Sequence, residues 1–364
     1  MPQHCARSAR CTVSTARALA LIPLVAGLAS VSNPAAAQSL RPHSVRCDTA
    51  ALIAAIDDAN ANGGGELSLS RRCVYDFRAP VSGQDATPAI TVPLTIKGNG
   101  ATLLRDPATT SHFRLIDVAV GGTAAVSHLT IRNGDVTGDG GGVLVQKGGT
   151  FRGVSITVQG NTASGDGGGI DDRGTLKLTG SLITDNTALL GGGLYIEPGG
   201  TADVIRTTVR DNKANSFAGG GVVNDSGAIT IARDLIVGNS VATGDGGGLW
   251  NDGQMTVNDS EIADNTARDH GAGVTNAQGG KATFNQSTIR NNRAGLQAGG
   301  IYNVNADSTV VLNVSRVVKN SSANAPGGVY NGAGSVVVNK RSTIAENTPT
   351  NCTGSPSPVP GCTN

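Results

Sequence analysis

Between Ile131 and Asn347 short apolar segments alternate with runs of Gly, Asn and Asp, and the alternation is periodic. A triplet of small residues followed by an aliphatic one recurs eight times. The aliphatics are Val143, Ile170, Leu194, Val222, Leu249, Val274, Ile301 and Val329, at spacings of 27, 24, 28, 27, 25, 27 and 28. A second column is Asn at 133, 161, 186, 212, 239, 265, 292, 320 and 347. Three residues before each Asn but the first stands a β-branched residue, from Val158 and Ile183 through to Val317 and Ile344. Two independent columns with one period exclude coincidence. Within 246–265 the apolar stretches lie around Leu249–Trp250, Met255–Val257 and Glu261–Ala263, divided by turn residues. Such segments are too short for a helical repeat and suit one coil of a β-solenoid. The chain is therefore predicted to be all-β, a single-domain right-handed parallel β-helix of about nine or ten coils, roughly 45–50 Å long at ~4.8 Å per coil. In-register stacking turns the apolar columns into internal ladders. Stacked Asn amides can bond from coil to coil, Asn tolerates left-handed turns, and Gly permits bends where a Cβ would clash.

The pattern changes towards the ends. Residues 89–133 read as one or two less regular coils, so the solenoid is placed at 89–350. In 50–61, Leu52, Ile53, Ile56 and Ala59 share one helical face, with Asp48 or Thr49 as N-cap and Gly63 as the stop. Open solenoid ends expose strand edges, so 38–88 is expected to form an N-terminal cap, an amphipathic helix plus the strand 66–70. Residues 351–364, containing Pro356, Pro358 and Pro360, are expected to protect the other end.

The first 37 residues read as a signal peptide. Arg7, Arg10 and Arg17 precede the apolar run 18–31 and the small residues Ala35–Ala37, with cleavage after Ala37. The run is short for a bilayer span and none follows, so the mature chain is expected to lack a transmembrane segment and to be secreted or associated with the cell wall. Removal of Cys5 and Cys11 leaves Cys47, Cys73, Cys352 and Cys362. Three pairings are possible; Cys47–Cys73 and Cys352–Cys362 are the local ones, one at each end. Neither has the C-x₂₋₄-C spacing of a metal site. Composition narrows the partners: 28 Lys and Arg against 27 Asp and Glu, with no basic stripe, disfavours nucleic acid. The chain is expected to be a monomer.

The Gly-Gly-small-aliphatic and Ile/Val-x-x-Asn signals resemble the repeats of polymorphic outer-membrane-protein and autotransporter-type β-helices. Residues 93–134 (PLTIKGNGATLLRDP…RLIDVAVGGTAAVSHLTIRNG) resemble the opening of secreted bacterial β-helix proteins in the pectate-lyase-like superfamily. The resemblance covers about residues 47–350. It implies the fold, but that superfamily spans lyases, glycosidases, epimerases and adhesins, so function must come from the site. The polygalacturonase-like series Asn-x-Asp, Asp-Asp, Gly-His-Gly and Arg-x-Lys is not reproduced, since Asp171-Asp172 and His270 lie four coils apart. Arg173 beside Asp171 and Asp172 only faintly echoes a pectate-lyase-like site.

Equivalent positions on neighbouring coils are close, so columns can be searched for chemistry. The position after the inward aliphatic reads Leu144, Asp171, Tyr195, Val223, Trp250, Thr275, Tyr302 and Tyr330, and strand alternation points it outward. Its rings, Tyr195, Trp250, Tyr302 and Tyr330, are expected to form an exposed platform for sugar rings. Another column reads Asp139, Asp166, Leu190, Ala218, Asp245, His270, Ala298 and Pro326. Asp139 and Asp166, and Asp245 and His270, are expected to adjoin across one coil. Close carboxylates can raise one pKa for acid/base work or share a Ca²⁺; Asp139 and Asp166 are the Ca²⁺ candidates. Asp171, Asp172 and Arg173 sit nearby, with Glu197 one coil later. Three functions follow: binding of an extracellular polysaccharide or cell-surface ligand along the ring-bearing face, a polysaccharide lyase or glycoside hydrolase centred on 139–197, or a structural spacer.

Overall fold

The computed structural model describes residues 42–339 and 341–363; the expected signal peptide lies outside them. One coil is typified by four strands, Ile170–Asp172, Thr175–Thr179, Leu182–Thr184 and Thr187–Ala188. Each pairs in parallel with its counterparts on adjacent coils, as Ile170 does with Val143 and Leu194. The longest ladder runs through twelve strands, from His43–Val45 to Ser335–Val338. The protein is a parallel β-solenoid. The fourth strand, only two residues long, is too short to show as alternation in the sequence. The ladder also begins earlier than the repeat does, because Gly65–Leu69 and Val74–Phe77 pair in parallel with Pro93–Arg105.

The core follows from the columns. The repeat aliphatics Val143, Ile170, Leu194, Val222, Leu249, Val274, Ile301 and Val329 are buried to the last one per cent, as are Val158, Ile183, Val209, Ile236 and Ile262. At ~25 cal/mol per Å², such continuous ladders supply the main driving force of folding. Phe77, Phe113, Phe151 and Phe284 join them. Phe151 fits because Ala124 lies on one neighbouring coil and Gly153 is two residues on in the same strand.

The Asn column from 161 to 347 is bonded from coil to coil as predicted, and it is also buried. From Asn186 onward each amide oxygen accepts from the backbone and side chain of the preceding coil's Asn, as Asn212 does from Asn186 at 3.0 and 2.9 Å. Two expectations change. Asn133 is not in this ladder: Asn161 Oδ1 accepts from the Gly134 N–H at 2.8 Å, one residue along. The left-handed conformation belongs not to the ladder Asn but to the residue before it: Gly160, Asp185, Asp211, Gly238, Asp264, Asn291, Lys319 and Glu346 all have positive φ.

At the N-terminal end the helix Thr49–Ala61 starts at Asp48, whose side chain accepts the Ala51 N–H at 2.8 Å. Leu52, Ala55, Ile56 and Ala59 pack against the first coils in the same core. Disulfides join Cys47 to Cys73 and Cys352 to Cys362. The second lies in the 352–362 loop, where Asn331 Nδ2 donates to the Pro358 carbonyl at 2.9 Å.

Candidate functional site

Strand alternation alone mispredicts the ring-bearing column. Its residues do turn away from the core, but the Gly-rich turn preceding each strand folds back over them. A Cβ on Gly167 would lie 2.8 Å from the Asp171 Cα, and one on Gly191 would lie 2.9 Å from the Tyr195 Cβ. Only Gly permits that approach, and both have positive φ. Consequently Tyr195 is 5% exposed, Asp171 and Thr275 are fully buried, and Trp250, Tyr302 and Tyr330 are half-buried. The four rings do not form a flat exposed platform.

They divide into two places instead. Tyr302 stacks on His270 with centroids 4.5 Å apart and lies 4.9 Å from Tyr330. His270 Nδ1 is 3.0 Å from Asp245 Oδ1, which also accepts the His270 backbone N–H at 2.8 Å. The expected Asp245–His270 contact is present, inside a polar-aromatic stack. Tyr195 and Trp250, with Leu190, Phe217, Ala218, Val223, Asp225, Ser226, Asp252 and Gln278, line an open groove of about 550 Å³.

Beside this groove the acidic residues converge. Arg173 donates from Nη2 to Asp139 Oδ2 at 2.5 Å and from Nε to Asp171 Oδ2 at 3.0 Å, with Glu197 Oε1 at 3.6 Å. Asp139 Oδ1 accepts the Asp166 N–H at 2.9 Å, the predicted neighbour contact. Tyr195 Oη donates to Asp225 Oδ2 at 2.8 Å. Burial pushes the Asp166 carboxyl up to about 6, helped by Asp139 and Glu197. Burial also drives Asp171 up to about 8, against the pull of Arg173. Asp166 Oδ1 and Asp171 Oδ1 are buried without a hydrogen-bond partner. Carboxyls able to hold a proton near neutrality, set beside further carboxyls, are an arrangement acid/base chemistry uses.

Calcium fits less well than the sequence suggests. Asp139, Asp171 and Glu197 each present an oxygen within 4.8 Å of the others, but the Arg173 guanidinium reaches all three. The cation position is filled from within the chain. Asp166, paired with Asp139 in the sequence reading, is outside this oxygen set.

Asp172 is separate. It lies inward, in the column that Asn224, Asn251, Asn276, Asn303 and Asn331 fill on later coils. Burial raises its carboxyl to about 7, so folding holds a proton that the unfolded chain releases near pH ~4. That contribution is complete below about pH 4 and is lost as pH rises through about 7. Asp172→Asn is expected to raise unfolding free energy at pH 8 by about 1 kcal/mol or more and to change it little at pH 4. Urea titrations at both values check this; an equal gain at each would point to packing rather than titration.

Glu197, noticed only as a neighbour, and Asp225 and Asp252, not noticed, belong to one further column. Arg173, Glu197, Asp225 and Asp252 each donate a backbone N–H to the same position one coil earlier, to Val145, Asp172, Ile196 and Asn224. Reading the column two places after the rings finds them. Phe217, 75% exposed, stands in a turn outside the period and gives no such signal. Comparison of the chain with protein-family models, curated proteins and solved structures finds no match.

Proposed function

We propose that this face of the solenoid binds an extracellular polysaccharide, with the groove around Trp250 as its principal contact. The observation that carries the reading is the composition of the groove. Phe217 and Trp250 offer ring surface, with Tyr195 packed beneath, while Asp225, Ser226, Asp252 and Gln278 set polar groups at its edge. Pyranose rings need that combination, an apolar face for stacking with carboxylates and amides for the equatorial hydroxyls. Export belongs with this reading, since two disulfides persist where the surroundings are oxidising. Trp250→Ala is expected to reduce retention on an insoluble polysaccharide at least about tenfold with little change in unfolding midpoint. Sedimentation against a panel of insoluble polymers measures it; undiminished retention would remove the groove from the function.

A second reading is glycoside hydrolysis in the adjacent acidic centre, favoured by Asp166, whose carboxyl sits at about 6 beside Asp139 and Glu197. Asp166 would donate the proton to the leaving oxygen, and Asp139 or Glu197 would serve as the second carboxyl of the pair. Release of reducing ends from a retained polymer, lost in Asp166→Asn, is its test.

A further inference from the structure

We infer that the groove takes a glycan carrying protonated amines, of the glucosamine type, rather than a neutral or uronic-acid polymer. The inference rests on the polysaccharide reading and specifies its ligand. Glu197, Asp225 and Asp252 occupy one column on three successive coils, so carboxylates recur every ~4.8 Å along the solenoid axis. That interval is on the scale of one sugar residue. Among the described residues, no Lys or Arg lines the groove. The adjoining cation, Arg173, is already paired with Asp139, Asp171 and Glu197, so its charge is compensated within the chain.

The carboxylates also want a cation. Asp252 and Glu197 are held above the ordinary carboxylate range, chiefly by burial, with Asp225 adding repulsion to each. A uronate would add an anion to this row and meet like charge at low effective dielectric. A hydroxyl polymer would satisfy hydrogen bonds but leave the charge uncompensated. An ammonium group on each sugar does both, while the ring packs on Trp250 and Phe217.

The test is retention of the protein, in the form containing both disulfides, on three insoluble probes at about pH 5: cross-linked poly-glucosamine, its fully N-acetylated counterpart and cross-linked polygalacturonate. Poly-glucosamine is expected to bind at least about tenfold tighter than the acetylated polymer, a preference that shrinks in about 0.5 M NaCl. The Asp225→Asn/Asp252→Asn double variant, with its unfolding midpoint measured alongside, is expected to bind both polymers equally. Equal or tighter binding to polygalacturonate would overturn the inference while leaving the polysaccharide reading standing. Poly-glucosamine binding that a folded double variant retains in full would place the contact elsewhere and overturn it too. No retention on any of the three would remove both.

Discussion

Replacing Asn239 by Ala is expected to lower the unfolding free energy by about 3–5 kcal/mol, the largest effect of any single truncation outside the aliphatic ladders. Asn239 is fully buried. Its Oδ1 accepts from the Asn212 backbone N–H and from Asn212 Nδ2, both at 3.0 Å, and its Nδ2 donates to the Val209 carbonyl and to Asn265 Oδ1, again at 3.0 Å. Alanine removes all four bonds and leaves the Asn212 N–H without its acceptor where water does not reach. Asn239→Asp should be worse near neutral pH, because it sets a buried carboxylate against the Asn265 oxygen and removes both donors. The Asp variant should recover towards Ala as the pH falls and the carboxyl is protonated. Asn285→Ala is the control. Asn285 bonds Asn258 and Asn313 at 2.8 Å in a similar ladder but is half-buried, so water replaces the lost partners and the cost should stay below about 1 kcal/mol. Urea unfolding of the three variants decides it, and equal losses for Asn239→Ala and Asn285→Ala would show that burial is not what gives the ladder its strength. Because each coil touches only its neighbours, a loosened coil also tests whether the solenoid still unfolds as one unit.

That ladder was legible because it repeats. A column of identical residues at one period declares both its strand register and its inward face, so the aliphatic and Asn ladders could be assigned before any coordinates. The strand at 66–70 was expected only as part of a cap; its place in the ladder, like the strand Val74–Phe77, was hidden because neither carries a marker, though both pair as regularly as the rest. The acidic centre was half legible. Asp139, Asp166, Asp171 and Arg173 stood out as departures from the repeat, and the fold does bring them together. What sequence periodicity could not supply was the third dimension of the turn. Alternation sends Tyr195 outward, but the Gly191 turn closes over it, and that depends on glycine's lack of a Cβ rather than on any apolar pattern. Phe217 escaped for the opposite reason: it lies in a turn where no column constrains it, so nothing marks it as more than an exposed ring.

Arg173→Met is the second large effect, expected to cost about 2–4 kcal/mol at pH 8. Methionine keeps the length and apolar volume of the stem and removes only the charge. Losing one partner of a buried ion pair costs about 3–5 kcal/mol; the figure here is lower because the Arg173 and Asp139 side chains are 33% and 31% exposed and partly screened by solvent. Asp171, by contrast, is fully buried and beyond the reach of that screening. The pH dependence fixes the cause. Arg173 is the influence that opposes burial at Asp171, so its removal lifts that carboxyl further above its unfolded value. The part of the variant's deficit that comes through Asp171 should therefore be small near pH 4 and should grow as pH rises towards and beyond about 8. The same substitution vacates the point between Asp139, Asp171 and Glu197, whose oxygens lie within 4.8 Å of one another. A hard divalent cation suits three such oxygens. Millimolar Ca²⁺ should raise the thermal midpoint of Arg173→Met and leave the parent protein unmoved. A variant as stable as the parent at pH 8 would deny Arg173 its role as the internal counter-ion. Ca²⁺ stabilising both proteins equally would mean that the guanidinium and the metal do not compete for one position.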